Sequence, residues 1–498
     1  MFYRETVNSA GRADLKMTNW TWVGLWALWT VMSAYLLSRH EMWFDEIQSW
    51  KIVDESRSIS ELAHNLKWEG HPPLWYLVLW PATWISDSIH MVQVVNLVIC
   101  SSMVYLVLRC MPVPLVVRAA LVFGYVPFYE VGAISRSYGL MFLLGVATVI
   151  LANRTEGPNV PAVVAVAGMA ATSVVAVPLA VGFVIARWGL PWWRERAKSH
   201  VHVGWVAAGL ALIAAGVVMS LPAAGGGPKA DFRLPTTTAV NRAFSMLTNV
   251  FLPVPKFQIS FWNTSIIQKT DSRLPWVIGL VLFLCVLVAL RRSITAVILW
   301  VIGVGGYMSA VVISKMPFRV RHASVIWLAL LMIVWMIAAD RNLTIEAKRR
   351  FAPAWVQSVA ILVALSSVFT AYFAARQDMR YRFSGATDAA NWIKQNAVGP
   401  YSILCAVDQS VCASVAVRLR ADAYPNAEAE PIRFVEFKKG WSRSTTPPML
   451  AVSEARLLQE RTGTQVFIVA DAWVMPPDCT VGIRTIPVIV EPIGVCTP

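Results

Sequence analysis

Long apolar runs recur from residue 20 to residue 374, and they constrain this chain more than any other feature. A spanning helix needs roughly 20 apolar residues to cross about 30 Å of hydrocarbon, and run after run meets that length. Composition agrees: of 498 residues, 57% are hydrophobic and only 14% charged, where a soluble protein carries about a quarter. The expected fold is therefore a polytopic α-helical membrane protein.

Lys and Arg in short loops set the orientation. Arg4, Arg12 and Lys16 put the N-terminus in the cytoplasm, so a first span near 20–38 delivers residues 39–73 to the far side. The apolar piece 74–85 is shorter than a span and contains Pro81, which predicts a re-entrant or interfacial helix. Spans follow near 90–108, 121–133 and 138–151. The stretch 160–188 has basic residues at both ends and requires two short crossings or a hairpin. Residues 201–221 then lead out to a polar loop, 222–275, that holds the flexible Gly225-Gly226-Gly227-Pro228. Spans at 276–290, 294–313, 323–339 and 356–374 bring the total to about eleven, with the tail on the far side.

The division is thus 1–374 as a transmembrane domain, with 39–90 as its first external loop, and 375–498 as a small extracytoplasmic domain. In that tail, helices at 386–395, 411–419 and 453–461 alternate with strands at 401–407, 432–437 and 465–470. The alternation predicts a soluble α/β fold of roughly 120 residues. Four of the seven cysteines, Cys405, Cys412, Cys479 and Cys496, lie there, an even number that suits disulfides in an oxidising compartment. Cys100, Cys110 and Cys285 accompany apolar helices and read as inert. The net charge of +14 forms no stripe or aromatic-interleaved patch, which argues against nucleic acid as a partner. The first 19 residues are polar and the run after them is long enough to span, so no cleavable signal is evident.

Chemistry gathers in the first external loop. Trp43-Phe44-Asp45-Glu46 follows the first span directly. Carboxylates pressed against aromatics at a membrane surface can be desolvated enough to serve as bases, although an interfacial aromatic belt with solvated acids has the same composition. Ser58 and Glu61 stand at capping-box spacing ahead of Leu62, Ala63 and Leu66, which predicts an amphipathic helix on the bilayer surface. Next comes Trp68-Glu69-Gly70-His71-Pro72-Pro73-Leu74, in which His71 either donates to a phosphate or stabilises the turn.

The Asp-Glu pair after the first span, the amphipathic loop, the Gly-His-Pro-Pro-Leu-x-Tyr segment and the later Ser135-Arg136-Ser137-Tyr138 together resemble the type C (GT-C) glycosyltransferases. The likeness is to the branch of protein mannosyltransferases and lipid A aminoarabinose transferases, and covers roughly residues 20–155 by motif and the later spans by topology. It implies an inverting transfer of a sugar from a polyprenyl-phosphate or polyprenyl-diphosphate donor to a hydroxyl on a glycan, lipid or protein acceptor, at the outer face of a bacterial inner membrane. Asp45 would be the general base. Glu46 would orient Asp45 or contact the sugar, and a swap of the two roles stays open.

The leaving phosphate needs cations near the outer interface. The resemblance points to Arg136 with Tyr138, and to the Lys315–His322 cluster, where Arg319, Arg321 and His322 stand in place of the Arg-Tyr pair of relatives. Glu69 and His71 complete the expected binding set. The alternatives are an interfacial anchor or a Glu130 salt bridge for Arg136, and lipid head-group binding for Arg319 and Arg321. No Asp-x-Asp or His/Cys ligand spacing calls for a metal or other cofactor, and a divalent cation stays open. Competing readings are a flippase or transporter of lipid-linked saccharides, an O-antigen-type polymerase or ligase that uses loop 222–275, and a non-enzymatic assembly protein that binds a partner through its tail.

Overall fold

A computed structural model describes residues 12–155, 157–190, 200–219, 221, 234–267, 273–314, 319–340, 343–344, 351, 353–437 and 445–498. Five helices are long and apolar enough to cross a membrane: Trp20–Arg39, Met91–Cys110, Ile294–Ile313, Val320–Ala339 and Ala354–Arg380. Shorter apolar helices at Tyr138–Ala152, Val160–Ala170, Val174–Gly189, Val203–Met219 and Leu274–Leu290 pack beside them. One continuous core of Trp, Phe, Leu and Val side chains runs through this helical body. The segment 160–188 forms two short helical pieces with a turn at Ala171-Thr172.

The expected crossing at 121–133 is displaced. Its helix begins at Leu115 and ends at Phe123, and a wide π-turn, Val126–Glu130, follows a break at Gly124. Pro127 accounts for the break and close packing accounts for the glycine. Pro127 has no N–H to give the helix ladder, and a Cβ on Gly124 would sit 2.7 Å from the hydroxyl of Ser367. That hydroxyl instead accepts the Tyr125 N–H at 2.8 Å and pins the broken helix against Ala354–Arg380.

The polar loop 222–275 contains a helix, Thr237–Phe251, capped by the Thr236 hydroxyl on the Ala239 N–H. Gly225–Pro228 lies outside the described residues, as do Lys315 and the basic cluster Lys348, Arg349 and Arg350. In the first external loop the acidic pair opens a helix, Phe44–Asp54, rather than a plain loop. The amphipathic helix forms at Ile59–Asn65 with Ser58 as its cap. Glu61 reaches the N–H of Arg57 instead of Ser58, so the box closes one residue early. The piece 74–85 is a single helical turn and a half, Leu74–Leu79, continued as a tighter turn, Trp80–Trp84.

The tail holds a five-stranded sheet in the order β2-β1-β3-β5-β4, with β1 Tyr401–Ala406, β2 Ala423–Tyr424, β3 Gln465–Asp471, β4 Thr480–Arg484 and β5 Ile493–Thr497. β1 runs parallel to β2 and β3, while β5 is antiparallel to β3 and β4. Helices Ala386–Asn396 and Gln409–Leu419 cover one face and Ala451–Thr462 covers the other. Disulfides Cys405–Cys412 and Cys479–Cys496 staple it. The expected strand at 432–437 is not in the sheet: the Val435 N–H and carbonyl are both taken by the side chain of Gln48.

Candidate active site at the ends of the apolar helices

Trp43 is the N-cap of the helix Phe44–Asp54, so Asp45 and Glu46 occupy its first turn, where carboxylates complement the helix dipole. Consecutive helical residues point about 100° apart, and the two acids diverge. Glu46 turns inward and is fully buried. It accepts the Ser135 N–H at 2.7 Å and the Trp43 N–H at 3.3 Å, and meets His40 Nε2 at 3.0 Å. The other ring nitrogen of His40 contacts Asp378 at 2.7 Å. Burial opposes charge on this imidazole, but Asp378 and Glu46 outweigh it and push its pKa up to about 10. Glu46 is thereby the acidic half of a latch joining the first span, the external helix and the last span. That placement buries Glu46 and leaves Asp45 as the partly exposed carboxylate of the pair.

Asp45 lies 2.7 Å from the guanidinium of Arg321, in the first turn of Val320–Ala339. Burial alone would raise its pKa, yet Arg321, Arg136 and His71 together hold the carboxyl below its ordinary value. Arg321 stacks on Trp43 at 4.9 Å and on Trp262 at 5.5 Å. Arg136, buried in the turn Ser135–Ser137, donates to the backbone carbonyl of Asp45 and to His71 Nε2.

The turn carrying Glu69 and His71 needs Gly70, whose φ of +69° an L side chain rarely adopts. His71 Nδ1 faces the Glu69 carbonyl at 3.1 Å and Nε2 faces Arg136 at 3.3 Å. Burial and the Arg136 charge push this ring down to about 4, so it is neutral near pH 7, donating through Nδ1 and accepting through Nε2. Its Nε2 therefore faces Arg136, and its Nδ1 holds the turn at Glu69. Glu69 is buried, accepting from Tyr76 at 2.9 Å and Gln48 at 3.2 Å. Burial, partly offset by Arg136 and these donors, pushes its carboxyl up to about 7.

Asp45, Glu69, His71, Arg136, Tyr138 and Arg321 thus come together. Arg319 does not join them: its side chain is exposed, and its N–H donates to His322 Nδ1 at 2.9 Å. His322 is a cap for its own helix, with its ring edge-on to Tyr138 at 6.1 Å. Glu130 makes no pair with Arg136 either, accepting instead from Tyr125 and Trp262. Sequence reasoning missed Gln48, Tyr76, Trp262, His40 and Asp378. An ionisable residue such as Asp378 near the end of an apolar run is a signal in itself, but it names no partner. Among the described residues no group of three or more His, Cys, Asp or Glu side chains is placed to hold a metal ion.

The tail closes over this region. Arg418 donates to the Met42 carbonyl at 2.7 Å and faces Glu41 at 3.7 Å, and Glu491 accepts the N–H of Phe44 at 3.3 Å. No family model matches the chain, and no curated protein matches it. Among solved structures it is similar to one described as ArnT from Cupriavidus metallidurans bound to undecaprenyl phosphate, with 14% identity, a TM-score of 0.49, and coverage of 96% of this chain and 98% of that one.

Proposed function

We propose that this chain is an integral-membrane glycosyltransferase that moves a sugar from a polyprenyl-phosphate or polyprenyl-diphosphate donor to a hydroxyl acceptor, with inversion, at the extracytoplasmic face of a bacterial inner membrane. The observation that carries the reading is one carboxylate, Asp45, set against Arg321 and beside Arg136 at the outer ends of apolar helices. In this reading residues 1–374 cross the membrane about eleven times and form the catalytic domain, and residues 375–498 lie outside.

The reaction needs a base and an anion hole within a few ångströms of each other. The acceptor hydroxyl attacks the anomeric carbon and gives its proton to Asp45, while the anomeric C–O bond breaks and its electron pair leaves on the lipid phosphate. Arg321 and Arg136 neutralise the charge that develops there. In the free site Arg321 depresses the basicity of Asp45. A donor phosphate that engages Arg321 shares that positive charge, so Asp45 becomes a stronger base once the donor is seated.

The test is transfer of radiolabelled sugar from polyprenyl-phosphate donors to a membrane extract, comparing wild type with Asp45→Asn at matched expression. Loss of transfer with donor binding retained supports the assignment. Retained transfer would send the base role to Glu69, and no transfer by either protein would favour a flippase or a partner-binding protein.

A further inference from the structure

Glu130 is a fully buried carboxylate in the π-turn Val126–Glu130, a place where an ionisable group is costly and needs a reason. The proton-transfer chemistry above makes no use of it. Its Oε1 accepts from the Tyr125 hydroxyl and, at 3.0 Å, from the indole Nε1 of Trp262. Trp262 comes from the loop after Thr237–Phe251, far from Glu130 in sequence, so this bond fixes a loop side chain to the helical body.

The consequence lies on the ring's face. Trp262 packs edge-on against Trp43 at 5.0 Å and against Phe383 at 5.2 Å. Arg321 sits over both indoles. A guanidinium on two aromatic faces is held by the ring quadrupoles, and its height and tilt follow the rings. The hydrogen bond at Nε1 sets the rotation of Trp262, and with it one wall of the seat in which Arg321 meets Asp45.

We infer that Glu130 is a positioning residue for the donor phosphate: through Trp262 it holds Arg321 where an anion on the lipid donor is bound. This inference rests on the sugar-transfer reading for its ligand class, a sugar phosphodiester or diphosphate on an apolar chain, whose leaving group, a lipid phosphate monoester, is what farnesyl phosphate represents. The geometry also explains why the third crossing is broken. A regular helix through Val126–Glu130 would turn this side chain to another bearing, and the π-turn aims it at the Trp262 indole.

The test is equilibrium binding of radiolabelled farnesyl phosphate to the full-length protein in detergent, run beside the sugar-transfer assay, for wild type, Glu130→Gln, Glu130→Leu and Trp262→Phe. Glu130→Gln keeps an oxygen acceptor for the indole and should bind within about threefold of wild type. Glu130→Leu and Trp262→Phe should each bind at least tenfold more weakly, and the double variant no more weakly than either single one, because both cut the same link. In transfer assays the loss should appear in KM for the donor and, because Arg321 also meets the charge that develops on the leaving phosphate, in kcat, with KM for the acceptor unchanged. If Glu130→Leu does not fold, Trp262→Phe, which keeps an aromatic face but loses the N–H and part of the indole, is read against Glu130→Gln, which leaves the indole whole. Wild-type affinity in Trp262→Phe would overturn the inference, as would an equal loss in Glu130→Gln. A wild type that binds farnesyl phosphate but transfers no sugar would overturn the transferase reading and leave the positioning role to be judged by affinity alone.

Discussion

The guanidinium of Arg321 lies 2.7 Å from the carboxylate of Asp45, joining the start of the helix Phe44–Asp54 to the N-terminal end of the apolar helix Val320–Ala339. A bare ion pair would be an inert latch. Here the cation is also stacked on two indoles, so it stays in place when its anionic partner changes.

Arg321→Gln removes the cation and keeps a polar side chain. Transfer should fall about 100-fold or more in kcat, the scale seen when one preorganised donor is removed from a developing anion. Without its main cationic neighbour Asp45 becomes harder to ionise, so the acidic limb of the kcat/KM profile should move to higher pH. An acidic limb that stays put would mean that Asp45 is not the group titrating in the reaction.

Glu69 gives a pH dependence of stability with a definite sign. Its folded pKa of about 7 exceeds the ordinary 4.5, so the folded protein binds this proton more tightly than the unfolded chain does. The contribution is fully present below pH 4.5 and is lost as pH rises through 7. Glu69→Gln has no proton to lose, so its Tm relative to wild type should rise between pH 5 and pH 8. A Tm difference that is flat or falls over that range would show that Glu69 is ionised throughout.

Much of this arrangement was legible in the chain, and the failures have specific causes. The helix Val320–Ala339 announces itself by apolarity, and the motif residues Asp45, His71 and Arg136 do converge. Spacing did not separate Arg321 from Arg319, because only the fold shows that the helix starts between them, with Arg319 as its extended N-cap and Arg321 in its first turn facing Asp45. It did not separate Asp45 from Glu46 either, since that depended on His40 and Asp378, which meet only when the first and last spans pack. The stretch 432–437 has the residues of a strand, but it meets β2 only through the Ile432 N–H on the Ala423 carbonyl, and Val435 pairs with the Gln48 side chain, a non-local partner that leaves no local mark.

The disulfide Cys479–Cys496 closes a separation of 17 residues, against 7 for Cys405–Cys412. In the chain-entropy account a loop of about 15 residues is worth roughly 3 kcal/mol, and a shorter loop less. Replacing both Cys479 and Cys496 by Ser should therefore destabilise the tail by about 3 kcal/mol in urea unfolding. The pair Cys405→Ser with Cys412→Ser should cost less, unless the cavity left beside the buried sheet core dominates. Equal mobility of the wild-type protein on reducing and non-reducing gels would show that neither bridge forms.

Gln48 stands one turn after Asp45 on the same helix, and its amide serves two parts of the fold at once. Nε2 donates to the Val435 carbonyl at 2.7 Å and to Glu69 at 3.2 Å, and Oε1 accepts the Val435 N–H at 3.1 Å. Around this bond Phe44, Ala413, Val435 and Phe437 form a small apolar cluster that joins the external helix to the tail. Gln48→Leu keeps the volume but leaves the Val435 N–H and carbonyl buried without partners, at about 1–3 kcal/mol for each group. The cheapest relief is for 432–437 to lift away and hydrate. Trypsin cleavage after Arg433 should then speed up by about tenfold or more, since each 1.4 kcal/mol of opening free energy is a factor of ten in population. Sugar transfer should fall with it, because Glu69 loses a donor on the side facing Arg136 and His71. Cleavage at the wild-type rate would mean that the tail is held by Arg418, Glu41 and Glu491 alone, with Gln48 serving only the Glu69 side of the site.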